Sequence, residues 1–161
     1  MNVEVVIADY QDEQQAADIL FLLEHYAQDP MGGGSPLTSY TRENLLSALS
    51  KIPHAFTLLC YVDNTPAGVA NCFESFSTFK CKPIVNIHDF VVLDDFRGKG
   101  ISQLMLAKVE EIANARGCCK LTLEVLEGNL AARSAYVKYG FGGYELDPAA
   151  GKALFWEKTL E

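Results

Sequence analysis

No stretch of this 161-residue chain stays apolar for the roughly 18 residues that a membrane-spanning helix requires. The opening residues, MNVEVVIADYQDE, lack the basic start and the apolar run of a secretion signal. The cysteines are poorly spaced for cross-links. There are five, Cys60, Cys72, Cys81, Cys118 and Cys119, an odd number with no C-x-x-C pair. That pattern argues against a disulfide framework and a metal site, and makes a reducing cytoplasm the expected compartment. Positive charge is short as well. Thirteen Lys and Arg against 21 Asp and Glu leave a net charge of −8, with no basic footprint for nucleic acid. The acidic balance mildly favours cationic small molecules as partners, and it fits an ordinary solvated surface better. Repeats and linker-like runs are missing too. With 49% hydrophobic residues, the chain 1–161 is expected to fold as one domain with a sizeable core.

What is present is organised around PIVNIHDFVVLDDFRGKGISQLMLAKVEEIAN, from Pro83 to Asn114. Residues 84–93 read as a strand. From Ile101 on, the apolar residues Leu104, Met105, Val109, Ile112 and Ala113 keep the three- and four-residue spacing of one helical face. The junction between them is Arg97-Gly98-Lys99-Gly100-Ile101-Ser102-Gln103. Its two glycines let the backbone turn and approach a ligand. The first amides of a helix have no internal partners and lie at the positive end of its dipole. No Asp or Glu stands in that first turn, and Arg97 and Lys99 add charge, so the junction reads as a receptor for an anion such as a phosphate. It is neither the nucleotide loop G-x-x-x-x-G-K-[ST] nor the dinucleotide fingerprint G-x-G-x-x-G.

Around that stretch, residues 3–7 read as a strand. A helix follows, capped by Asp12 with Ala16, Ile19, Leu20, Leu23, Tyr26 and Ala27 on its apolar face, up to Asp29-Pro30. Residues 31–36, rich in glycine, are expected to be a loop, and a short helix starts near Thr41 with Leu45, Leu46 and Leu49 inward. Residues 55–62 and 67–76 form an antiparallel hairpin about Asp63-Asn64-Thr65-Pro66. After the organising helix come a strand at 119–125 and a helix at 130–139, capped by Asn129 and ended by Gly140. The tail from Gly143 to Leu160 reads as two strands. Its Phe155 and Trp156 offer an edge for a homodimer. The order β-α-α-β-β-β-α-β-α-β-β makes a mixed sheet with helices on its faces.

Residues 97–102 resemble the acetyl-CoA loop [QR]-x-x-G-x-[GA] of the GCN5-related N-acetyltransferases, with Ser102 where Gly or Ala is usual. Asn129-x-x-Ala132-x-x-x-Tyr136-x-x-x-Gly140-Phe141 is similar to a second signature of the family. The element order agrees over nearly the whole chain, and residues 84–142 carry the cofactor-binding core. The resemblance implies an α/β fold with a mixed, mostly antiparallel sheet, a splayed central parallel strand pair and about four helices. It implies acetyl-CoA as co-substrate, with its pyrophosphate on the amides from Gly98 to Gln103. Its pantetheine arm would lie against the backbone of Phe90, Val91 and Val92, and Asn129 would touch it too.

Direct transfer of an acetyl group from a thioester to an amine needs no covalent enzyme intermediate, provided both substrates bind together. It does need a polarised carbonyl, a neutral amine and an acid for the leaving thiolate. The resemblance puts the Tyr136 hydroxyl at the sulfur, and a phenol with a reference pKa near 10 is protonated at neutral pH. The base is open. Relatives that acetylate polyamines carry a carboxylate where this chain has His88. Alternation along a strand lets only one of His88 and Asp89 reach the crevice, with Glu124 or a water relay as other candidates. Cys118 and Cys119 read as small buried residues, not as nucleophiles. The expected activity is acetylation of a small-molecule primary amine. The alternatives are a protein or peptide N-acetyltransferase and a non-catalytic acyl-CoA-binding module.

Overall fold

The computed structural model describes all 161 residues. Five strands form one sheet: β1 (Val3–Ile7), β2 (Ala55–Val62), β3 (Thr65–Ser77), β4 (Lys82–Val92) and β5 (Leu121–Leu123), side by side in that order. Neighbours run antiparallel except β4 and β5, which are parallel. This is the mixed sheet with one parallel pair that the sequence implied. Asp63 and Asn64 carry the β2–β3 turn, both with positive φ (48° and 66°), the twist a two-residue hairpin turn demands.

Four helices cover the sheet: α1 (Glu13–Gln28), α2 (Ser39–Ser50), α3 (Ile101–Ala115) and α4 (Leu130–Tyr139). None is long and apolar enough to cross a membrane. Asp12 caps α1 by accepting from the Gln15 amide at 2.8 Å, as its place in the sequence predicts. Thr38, not Thr41, caps α2, so that helix begins at Ser39. On one face of the sheet, Ile101, Met105, Leu106, Val109 and Ala113 of α3 pack on Leu58, Cys60, Ala70, Val85 and Ile87. Gly68 of β3 is required there. A Cβ would stand 2.8 Å from the Met105 Sδ and 2.8 Å from the Val91 carbonyl oxygen. On the other face, Ile19 and Leu22 of α1 close over Leu59, Val69 and Val91.

Three expectations fail here. β5 has three residues instead of seven, and no strand follows it. Beyond Phe141 the chain holds only a short 3-10 turn at Pro148–Ala150, and one backbone bond, Ala153 N–H to the Tyr144 carbonyl at 3.1 Å, joins its two arms. Glycine at 142, 143 and 151 and proline at 148 interrupt the apolar runs there, and so short an edge strand offers few ladder groups to pair with. Cys118 and Cys119 are also less buried than expected, half-buried and exposed respectively.

Candidate active site

The β4–β5 pairing is brief: Val85 with Leu121, Asn86 with Thr122 and Ile87 with Leu123. Asn86 closes the base of the fork, its Nδ2 donating to Thr122 Oγ1 at 3.0 Å. Past Ile87, β4 runs on to Val92 while β5 ends, and the chain leaves toward α4. Between the diverging segments lies a crevice of roughly 500 Å³. Phe90, Val91 and Val92 form one wall, and Asn129, Ala132 and Tyr136 of α4 form the other.

The glycine junction floors one end. Gly98 and Gly100 have φ of 75° and 77°, left-handed values that glycine adopts without strain. Gly100 is the N-cap of α3 and supplies no capping side chain. None of the backbone amides from Gly98 to Gln103 finds an acceptor within the protein. The first such bond of the helix is Leu104 N–H to the Gly100 carbonyl at 3.2 Å. Six free amides, a dipole end without carboxylates and open space above both glycines fit a phosphate-bearing ligand. Arg97, Gly98, Gly100, Ile101, Ser102 and Gln103 all line the crevice. Lys99 does not. Its Nζ lies over the Phe96 ring, 5.4 Å from the centroid. Arg97 is folded back, Nε donating to the Val92 carbonyl at 3.2 Å beside an exposed pair with Asp94. Gln103 donates to the Ala135 carbonyl at 3.0 Å and locks α3 to α4.

Asn129 caps α4, its Oδ1 accepting from the Ala132 amide at 3.2 Å. The cap aims the helix so that Tyr136, almost wholly buried, enters the crevice between Phe90 and Phe141. Burial pushes its phenol up to about 12, with a smaller push from Tyr26. The hydroxyl is therefore a proton-bearing group at neutral pH. Tyr139 faces elsewhere and donates to Glu110 of α3.

The crevice is also lined by residues the sequence did not single out as a site. His25, Tyr26 and Asp29, at the end of α1, and Met31 line it. Tyr26 read only as part of an apolar helix face. The one available signal was that the helix breaks at Asp29-Pro30, beside the glycine-rich loop. Burial raises the Tyr26 phenol, and the charges of Asp89 and Asp29 raise it further.

A β-bulge in β4 decides where His88 and Asp89 go. Asn71 of β3 pairs with Asp89 and Cys72 with Ile87, which leaves His88 as the extra residue. The expected alternation therefore fails. Asp89 meets Asn71 (Nδ2 to Oδ2, 3.0 Å) and His88 stands edge-on to Phe73 at 5.7 Å, two β3 residues that share a face. Both side chains point to the α1 side. His88 is exposed and Asp89 half-buried, and neither is among the residues lining the crevice itself. Glu124 lies beyond the end of β5, exposed. No three His, Cys, Asp or Glu residues gather as a metal site would require.

Comparison with known proteins agrees with this fold. A sequence model of the acetyltransferase (GNAT) family matches residues 19–141. A thialysine N-epsilon-acetyltransferase of Bos taurus is 36% identical over 88 residues, 55% of this chain and 50% of that protein. An uncharacterised N-acetyltransferase of Bacillus subtilis, YycN, is 37% identical over 68 residues, 42% of each chain. The chain thus spans half or less of these curated relatives. Among solved structures, an aminoglycoside acetyltransferase from an uncultured soil metagenomic sample superposes with a TM-score of 0.78 at 15% identity, over 99% of this chain and 97% of that one. The ribosomal-protein-alanine N-acetyltransferase of Brucella melitensis gives 0.73 at 19% identity, over 99% and 98%. At such identities the likeness is one of fold.

Proposed function

The chain belongs to the acetyltransferase (GNAT) family, and from that premise we propose that it moves an acetyl group from acetyl-CoA to the primary amine of a small cationic molecule. One observation carries the reading: the unpartnered amides from Gly98 to Gln103 and the buried, proton-bearing hydroxyl of Tyr136 open into the same crevice. Acetyl-CoA supplies an activated acyl group on a thioester. The amides of residues 98–103 hold its pyrophosphate, and the free edge of Phe90, Val91 and Val92 holds its arm and polarises the carbonyl through an N–H. Asn129 positions α4.

The acceptor enters past His25, Tyr26, Asp29 and Met31. An alkyl ammonium must lose a proton before it can attack. The bulge brings up Asp89 with Oδ2 bonded to Asn71 and Oδ1 bonded to nothing in the protein, so Asp89 takes that proton directly or through one water. His88, exposed and edge-on to Phe73, is left outside this role. The freed nitrogen lone pair forms the C–N bond as the C–S bond breaks. Tyr136 gives its proton to the sulfur, and the second proton of the nitrogen recharges the phenol.

The bovine relative is named for thialysine, an amine at the end of a flexible side chain, which makes that type of acceptor the first to try. The test is a panel of small cationic amines, aminoglycosides and peptides with free N-termini, each assayed for its acetylated product. Acetylation of peptides alone would move the chain to the protein-directed class. The exposed tail aromatics Phe155 and Trp156 are where a homodimer would form, which sedimentation of wild type against a doubly polar variant checks.

A further inference from the structure

Four polar side chains from four separate segments join in one line that ends on Asp89. The Tyr10 hydroxyl, just before α1, lies 2.8 Å from Thr57 Oγ1 on β2. Thr57 Oγ1 lies 2.7 Å from Asn71 Oδ1 on β3. Asn71 Nδ2 lies 3.0 Å from Asp89 Oδ2 on β4. Thr57 and Asn71 are buried polar residues, and they pair directly across the β2–β3 ladder, as Asn71 and Asp89 do across β3–β4. An apolar row would pack against α1 at no desolvation cost, and Leu59, Val69 and Val91 do so two residues along the same strands.

The directions of these bonds follow from one end. An ionised carboxylate only accepts, so the amide group facing Asp89 is the NH₂ of Asn71. Its carbonyl oxygen then faces Thr57, which must donate. The Thr57 oxygen is left to accept, so Tyr10 donates to it. Every hydrogen bond points toward Asp89, and each polarises the next in the same sense. Asn71 cannot pass a proton along, because its amide has none to exchange at neutral pH. The line is therefore a brace and not a wire. It fixes Oδ2 and leaves Oδ1 without a partner in the protein.

We propose that Thr57 and Asn71, with Tyr10 behind them, are positioning residues that hold Asp89 so that Oδ1 is presented to the incoming ammonium. The bulge at His88 is what brings Asp89 into the row: with regular alternation His88 would take its place opposite Asn71. This rests on the reading of Asp89 as the proton acceptor.

The experiment is a double-mutant cycle on the full chain, with acetyl-CoA and the amine acetylated best in the panel above. Thr57→Val replaces a hydroxyl by a methyl of the same size. It is expected to lower kcat about tenfold, within the ~10²-fold that misplacing a reacting group can cost, and to leave acetyl-CoA affinity unchanged. Thr57→Ser restores the donor and the rate. In an Asp89→Asn background, Thr57→Val should change kcat no further, since the row acts only through Asp89. Tyr10→Phe, a milder change at a half-buried site, is expected to give a smaller loss of the same kind and serves if Thr57→Val folds poorly. A purely structural row predicts a lower melting temperature with wild-type kcat, or losses that add in full to that of Asp89→Asn, and either result overturns the proposal. If Asp89→Asn itself has wild-type kcat, the acceptor assignment falls first. If Asp89→Asn is impaired and the Thr57 and Tyr10 variants are not, only the brace falls.

Discussion

The ring of Tyr136 stands edge-on to the ring of Phe90, with centroids 5.9 Å apart and planes at 73°. Such a pair adds ~0.5–1.5 kcal/mol beyond the area it buries. Here it fastens α4 to the splayed half of β4. The hydroxyl of Tyr136 is thereby fixed relative to the backbone of Phe90, Val91 and Val92, the two sides between which a thioester would lie. Phe141 closes on Tyr136 from another side, also at 5.9 Å, so the ring has little freedom to turn away.

Tyr136→Phe keeps that packing and removes one oxygen. Loss of a general acid typically costs ~10²–10⁴-fold in rate. The variant is expected to lose turnover on that scale, with acetyl-CoA affinity by calorimetry and melting temperature close to wild type. Wild-type turnover would make Tyr136 a packing residue.

The same hydroxyl has a signature at high pH. Its folded pKa of about 12 lies above the ordinary tyrosine value of 10.0 because the site is buried. Between those values the unfolded chain loses the proton first, so the folded state binds more protons and stability falls as pH rises. The contribution is complete below pH 10 and amounts to ~3 kcal/mol over the window. Denaturant midpoints measured from pH 9 to 12 should fall less steeply in Tyr136→Phe than in wild type. Equal slopes would contradict the buried placement.

Gly100 allows charge to be separated from shape. Asn and Asp are the side chains that best tolerate left-handed backbone, and both cap helices. Gly100→Asn and Gly100→Asp should both fold, with Asp favoured at the positive end of α3. Only the Asp variant sets a carboxylate against the phosphates. Its acetyl-CoA affinity should drop by an order of magnitude or more relative to Asn, a gap that narrows with salt as screening grows. Equal affinities would put the phosphates elsewhere.

These sites differ in how far the sequence revealed them. The glycine junction and the Asn129-capped helix that carries Tyr136 are legible because each is a local pattern, with glycine spacing, cap and helical period all within a few residues. The bulge at His88 was not, because an unpaired residue in a strand has no local mark and shows only against the partner register. The row from Thr57 through Asn71 to Asp89 joins residues 14 and 18 positions apart, and no period links them. Tyr26 was hidden by fitting an apolar helix face, which it also occupies. In the tail, alternation suggested strands, but no neighbouring strand long enough to pair with them exists.

His88→Gln follows from the bulge. With His88 exposed against Phe73 and Asp89 bonded to Asn71, the variant should keep kcat/KM within about threefold of wild type, which is under ~0.7 kcal/mol of transition-state stabilisation. Its pH profile on the acidic side should keep its shape. Loss of that limb would return the acceptor role to His88.

The central claim is acetyl transfer to an amine, and the measurement that meets it most directly is release of free thiol from acetyl-CoA with and without amine, with mass analysis of the product. The expected result is thiol release that depends on amine, an acetylated amine in equal amount, and a Michaelis constant for cationic amines that rises with salt because the chain carries −8 net charge. Tight binding of acetyl-CoA with no amine-dependent thiol release, across small amines and peptides alike, would contradict it and leave a module that binds acyl-CoA without transferring its acyl group.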